Sequence, residues 1–183
     1  MRIAPLGCLL VVALLLAGCG SKKSQPPTTA QWADGVCTAV NTWTTSIKSS
    51  ISSVTSGNIS KDSIQNAGKE MESATQTLES DLKGLGKPNT PSGQKAQASI
   101  DQLSSDLKTD IDSIKTTLNG VSSISSAVSA ASTATSTLAT MKNQITSTYT
   151  QLQQGDVSGE LKTAFAQSSS CSKLKSNVSS ISP

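Results

Sequence analysis

The chain has 183 residues, with 15 Lys and Arg against 12 Asp and Glu, and it contains no histidine. This near balance, with aromatic residues at only 2%, disfavours a nucleic-acid-binding protein, which needs a basic face with arginines and stacking rings. Large apolar residues are scarce, which raises the question of disorder. The small net charge and a periodic apolar pattern nevertheless favour a single folded domain behind a short leader.

The amino terminus predicts export. Arg2 precedes an apolar run over residues 9–16 that ends in small residues and is too short to span a bilayer comfortably. The tetrapeptide Leu16-Ala17-Gly18-Cys19 resembles the lipobox of bacterial lipoproteins. The resemblance implies that residues 1–18 are a signal peptide and that the Cys19 sulfur carries a diacylglyceryl group on the extracytoplasmic face of the cell membrane. An ordinary cleaved signal and a short membrane anchor are the alternatives.

Residues 19–29 predict an extended tether. They lack an apolar pattern, and Pro26-Pro27 favours a stiff, extended backbone. Two acyl chains on Cys19 would give stable membrane anchoring, whereas a single chain anchors only marginally. Lys22 and Lys23 would lie near anionic headgroups, although a solvated tether is the simpler interpretation.

From residue 30 onward, apolar side chains recur every three or four residues, which predicts amphipathic helices. No segment alternates with the period of two that a strand requires. We therefore expect an all-α, antiparallel up-and-down bundle of about five helices within residues 30–183. The expected helices cover residues 30–56, 61–84, 91–118, 122–154 and 158–180.

Glycines fall at or just past the ends of these periodic segments, as is typical of helix ends. The expected starts are Ser60, Thr90 followed by Pro91, and Asp156 or Ser158. Gly120 is the least secure of these helix ends, although we favour a break there. The alternative is one long helix over residues 91–154.

The fourth segment differs from the others because residues 121–140 carry no charge and are mostly Ser, Ala and Thr. We expect Val128 and Ala131 on its apolar stripe. Its small side chains favour either close packing between two partner helices or a frayed, low-complexity stretch.

Gly68, inside the second helix, costs about 1 kcal/mol of helix stability relative to alanine, and close helix approach is the expected reason.

Two cysteines, Cys37 and Cys171, remain after Cys8 leaves with the leader and Cys19 is acylated. In an oxidising compartment an even pair predicts a disulfide, here between the first and last helices. A loop of this length gives a stabilisation of about 5 kcal/mol in the chain-entropy model. A catalytic cysteine or a zinc site is disfavoured, because the chain has no histidine to act as base or ligand.

No catalytic residue, metal site or cofactor is predicted. Asp106 and Asp110 share one helix face and could bind a divalent cation, but a solvated, ion-paired surface is the favoured interpretation. Trp43 lies on the first apolar stripe and is expected in the core. Trp32 lies at the start of the first helix, where it either caps the bundle end or, if exposed, contacts a sugar or a partner.

These observations favour a non-enzymatic, membrane-anchored lipoprotein that acts as an interaction or spacer module at the cell envelope. The alternative is a carrier that encloses a small apolar ligand or lipid in a cavity between helices. A third hypothesis makes helices three and four an oligomerising coiled coil. The expected partners are membrane lipid through Cys19 and either an envelope protein or a small apolar ligand, not nucleic acid.

The layout, with Trp-Ala-Asp-Gly-Val-Cys at residues 32–37, is similar to small exported helical proteins of actinobacteria, which implies no particular activity.

Overall fold

A computed structural model describes residues 26–55 and 60–179, and within these ranges the chain is helical and contains no strand. Cys19, the lipobox and most of the predicted tether lie outside the described residues. The all-α prediction is confirmed. The helices are α1 Thr29–Thr55, α2 Lys61–Leu85, α3 Gly93–Asn119, α4 Ile124–Gln154, α5 Glu160–Gln167 and α6 Ser169–Ser179.

The helices form a ring in chain order, in which α1 packs on α2, α2 on α3, and α3 on α4. The α5–α6 pair lies between α4 and α1 and closes the ring. Consecutive long helices are antiparallel, as predicted. Trp43 and, further along α1, Ser50 donate to Thr75 and Glu70, which run back along α2. In the same way Lys108 and Lys115 of α3 lie near Glu79 and Glu72 of α2, and Lys95 and Asp110 of α3 lie near Gly155 and Gln144.

The pair that closes the ring is parallel rather than antiparallel. Contacts between α1 and the α5–α6 pair follow increasing residue number on both sides. Asp34 contacts Ser168, and further along α1 Asn41 contacts Asn177. This direction is a consequence of the segment number. When five segments alternate up and down around a ring, the first and the last must run the same way.

The prediction of one helix over residues 158–180 is wrong, because the chain turns at Ser168 and forms two helices. Ser168 has an extended backbone, with φ −74° and ψ 126°. Its hydroxyl accepts a hydrogen bond from the backbone N–H of Cys171 (3.1 Å), as a helix N-cap does. It also donates to Asp34 of α1 (2.7 Å), which fixes the turn against the first helix.

The break at Gly120 is real, because α3 ends at Asn119 and Ser123 opens α4 with a reciprocal cap to Ser126. The expected start of α3 at Thr90-Pro91 is displaced to Gly93. There the backbone N–H of Gly93 donates to the carbonyl of Thr90 (2.9 Å). A Cβ on Gly93 would lie 2.2 Å from the carbonyl oxygen of Pro88, so this tight turn requires glycine.

The core is unevenly distributed along the bundle. We call the end where α1 and α3 begin the proximal end, and the end where they finish the distal end. The main core fills the proximal end and the middle, whereas a small distal cluster consists of Ile64, Val121 and Ala130. The expected stripe of α4 is out of register there, since Val128 is 66% exposed and Ala131 is exposed.

Candidate functional site: the proximal end and the seams of the bundle

The predicted disulfide between Cys37 and Cys171 is present. It joins α1 to α6 across 134 residues of sequence, with the two Cα atoms 4.9 Å apart. Both side chains are fully buried. The bond therefore closes the helical ring covalently, and α1 cannot separate from α6 at this point while it is intact.

Trp32 is a core residue, and the hypothesis that it offers an exposed ring to a sugar or a partner is wrong. Its side chain has no exposed surface, and its indole N–H donates to the carbonyl of Gly86 (2.8 Å). The ring packs edge-on against Phe165, which in turn packs against Tyr149 with centroids 5.2 Å apart. Three of the four aromatic residues of the helical region thus fill the proximal end. Trp43 is buried as expected.

Asp156 organises the turn between α4 and α5. It is buried, and it accepts hydrogen bonds from the Ser158 hydroxyl (2.8 Å) and from the backbone N–H of Leu161 (2.8 Å). Burial alone raises the pKa of the Asp156 carboxyl, but the hydrogen bonds outweigh it and hold this pKa below its ordinary value of 3.8. The carboxylate is consequently committed to a structural role.

Asp34 has a similar role on α1. Hydrogen bonds from the hydroxyls of Ser168 and Ser170 lower the pKa of its carboxyl below the ordinary value. Asp34 and Asp156 together fasten both ends of α5 to the proximal end. The sequence predicted a helix start at Asp156 or Ser158, whereas α5 begins at Glu160 after Gly159, and the turn at Ser168 was not predicted. The serines at residues 168–170 were the available signal, because serine favours caps over helix interiors.

The structure gives Asp106 and Asp110 separate partners. Asp106 accepts from Gln102 of its own helix (2.7 Å), whereas Asp110 faces Gln144 of α4. Burial raises the pKa of the Asp110 carboxyl above its ordinary value. Within the described ranges, no three His, Cys, Asp or Glu side chains are grouped as metal ligands would be.

Charge is divided between different faces of the ring. Helices α2 and α3 carry more acids than lysines, and their ion pairs include Lys83 with Glu79 and Lys108 with Asp112. Helix α4 contains Lys142 and no acid, and α6 contains Lys173 and Lys175 and no acid. The charged side chains of α4 and α6 are therefore all cationic.

The seams between helices contain several clefts. A groove of 720 Å³ lies along α1 and α2, one of 590 Å³ lies between α3 and α4, and one of 310 Å³ lies between α4 and α6. Each of these three clefts opens to solvent. The carrier hypothesis predicted a cavity enclosed between helices, and these clefts place ligand-sized space at the seams instead.

We compared the chain with protein-family models, curated proteins and solved structures, and none of them matches it. Among the described residues, no helix combines the length and the apolar character that crossing a membrane requires.

Proposed function

We propose that this protein is a non-enzymatic lipoprotein, held on the extracytoplasmic face of the cell membrane by an acylated Cys19. Its helical bundle acts as an interaction or spacer module at the envelope. The observation that supports this role best is the position of the disulfide. Cys37 lies about two helical turns after the start of α1 at Thr29, close to the point where the tether joins the bundle.

A membrane-held tether transmits force to the amino terminus of α1. Without a crosslink, such a force would peel α1 away from α2 and α6 one turn at a time. The bond from Cys37 to Cys171 limits this peeling to the first two turns, which also contain the buried Trp32. A bundle closed at its loaded end suits a module that must stay folded while it is attached to a membrane.

The environment of the proximal carboxylates supports a non-enzymatic role. Asp156 and Asp34 are held by hydroxyl and backbone donors that lower the pKa of each carboxyl, whereas a general acid needs a pKa near the working pH. The chain also has no histidine. The tether of about ten residues would extend at most roughly 30 Å, enough to hold the bundle clear of lipid headgroups.

Anchoring is tested by comparing Cys19→Ala with Cys8→Ala in a bacterial host that processes lipoproteins. We expect Cys8→Ala to stay in the membrane fraction and to keep the lipid mass of the wild type. Cys19→Ala should lose that mass and shift to the soluble exported fraction. Membrane retention of Cys19→Ala with an unchanged mass would refute the anchor.

The interaction role is tested by lysine-directed cross-linking in living cells followed by mass spectrometry. We expect the bundle to link reproducibly to one envelope protein, and the link should be lost in a strain that lacks this protein's membrane anchor. Links distributed according to protein abundance, unchanged by Cys19→Ala, would leave a spacer as the better description and contradict a specific interaction.

A further inference from the structure

The cleft between α4 and α6 has an apolar floor. Its volume is 310 Å³, and the nearly buried side chains of Ile145, Leu174 and Val178 form its base. The ring of Tyr149 forms one wall. This volume lies at the lower end of the range of roughly 300–1,000 Å³ that is typical of small-molecule sites.

Both charged residues that line the cleft are cations. Lys142 reaches from α4 to the carbonyl of Ser179 at the end of α6 (3.4 Å). Lys175 reaches back from α6 and lies over the ring of Tyr149, 5.3 Å from its centroid. Because neither helix contains an acid, the rim of the cleft is positive around an apolar base.

Tyr149 adds an unused polar group at the same place. Its hydroxyl oxygen is buried and has no hydrogen-bond partner among the described residues. A buried hydroxyl without a partner is costly, and an anionic head group that enters the cleft would offer it an acceptor.

The interface between α4 and α6 is also suited to opening for a ligand. The contact of α4 with the α5–α6 pair is the least extensive in the ring, whereas α6 is bound covalently to α1. The seam can therefore widen without any change at the disulfide.

We propose that the α4–α6 cleft binds a single-chain amphiphile whose acyl chain lies on the apolar floor and whose carboxylate pairs with Lys142 and Lys175. The small volume fits one chain and excludes a two-chain lipid, including the anchor expected on Cys19. The inference concerns residues of the bundle alone, so it holds or fails independently of the proposed anchor and interaction role.

The test uses the full protein in nanodiscs of zwitterionic phosphatidylcholine and a dodecanoic acid that carries a photoactivatable diazirine. After irradiation, cross-linked peptides are mapped by mass spectrometry, so that probe dissolved in the lipid does not obscure the site. We expect labelling concentrated on the segments that contain Ile145 and Tyr149 in α4 and Leu174 and Val178 in α6. Labelling spread evenly over the exposed helices would overturn the proposal.

Two pairs of variants sharpen the test. Thr146 lines the cleft from an exposed position, so Thr146→Trp should fill it and reduce labelling by about tenfold, which corresponds to one decade in affinity. Thr150→Trp lies one turn further along the same helix, outside the cleft lining, and should leave labelling unchanged. Equal labelling of the wild type and Thr146→Trp would contradict the site.

The second pair tests the charge. Lys142→Gln combined with Lys175→Gln should reduce labelling about fivefold, as expected for two partly exposed ion pairs. Lys69→Gln combined with Lys162→Gln changes the net charge equally at exposed positions elsewhere and should have no effect. A matched dodecanol probe should label the cleft weakly, and labelling as strong as that by the acid would refute carboxylate recognition. Circular dichroism and an intact disulfide confirm that each variant is folded.

Discussion

The two ends of the bundle differ in the side chains and crosslinks that stabilise them. The proximal end contains Trp32, Phe165 and Tyr149 in edge-on contact, together with the disulfide. The distal end has only a minor separate cluster of Ile64, Val121 and Ala130, against which Val54 and Leu118 pack. Val128, on the distal half of α4, is 66% exposed. The end nearest to the tether is therefore the strongly fixed one.

This difference follows from where the large side chains and the crosslink occur in the sequence. Burial of an aromatic ring removes far more apolar area from water than burial of alanine or serine, and α4 places mostly small residues toward the distal core. Stability is then not uniform along the helices. We expect hydrogen exchange to be faster in the distal half of α4 than at the proximal ends of α1 and α4.

The largest effect should come from removing the crosslink. Replacing Cys37 and Cys171 together by alanine should lower the free energy of unfolding by about 5 kcal/mol, because the unfolded chain regains the entropy of a long loop. Denaturant unfolding with and without a reducing agent measures this loss. Reductant should destabilise the wild type by a similar amount and leave the double variant unchanged. A double variant as stable as the wild type would show that the disulfide does not stabilise the bundle.

The next comparison uses one apolar residue from each end. Trp32→Ala should cost about 3–5 kcal/mol, since it empties a fully buried site and leaves the carbonyl of Gly86 without its donor. Val128→Ala should change the stability by less than about 0.5 kcal/mol, because most of that side chain already faces solvent. Thermal or denaturant unfolding of both variants measures the contrast. Similar losses in both would remove the distinction between the ends.

Much of this architecture could be predicted from the sequence. The apolar period gave the helix class and most boundaries, and the cysteine count gave the pairing of Cys37 with Cys171, because both depend on local pattern or simple elimination. The helix start at Ser60 was likewise predicted, because serine favours the N-cap position. The helix boundaries and the cap are local features, so tertiary contacts do not override them.

The parts that could not be predicted depend on long-range contacts. The turn at Ser168 is set by Asp34, which lies far away in the sequence. The burial of Trp32 depends on Phe165 and on the carbonyl of Gly86, and the apolar period alone could not distinguish a buried cap from an exposed ring. The α4–α6 cleft forms only when α6 packs against α4, which lies far from it in the sequence.

A pair of glycines offers a smaller and finer test. A Cβ on Gly68 would meet Leu118 at 3.6 Å, an ordinary contact, so the expected need for close approach at this position is wrong. Gly68→Ala should therefore stabilise the protein by about 1 kcal/mol through helix propensity.

Gly93→Ala, at the proximal end, is the matched variant and should act in the opposite direction. Its Cβ would lie against a backbone carbonyl oxygen at 2.2 Å, and relieving that clash should cost about 1–3 kcal/mol. Chemical denaturation of the two variants gives the comparison. If both stabilise the protein, the turn before α3 is looser than the structure indicates.

The smallest expected effect concerns pH. Because the pKa of Asp156 is lower in the folded state than in the unfolded chain, its contribution to stability is present above about pH 4 and is lost as the pH falls through the folded value. Asp156→Asn should lower stability at pH 7 by about 1–2 kcal/mol and flatten the decline in stability below pH 4.

Asp110 is the matched control, since burial raises the pKa of its carboxyl, and Asp110→Asn should leave stability at pH 7 unchanged or slightly higher. Urea unfolding between pH 2 and pH 7 measures both. A decline in acid as steep in Asp156→Asn as in the wild type would show that other carboxylates, such as Asp34, carry the acid sensitivity of the proximal end.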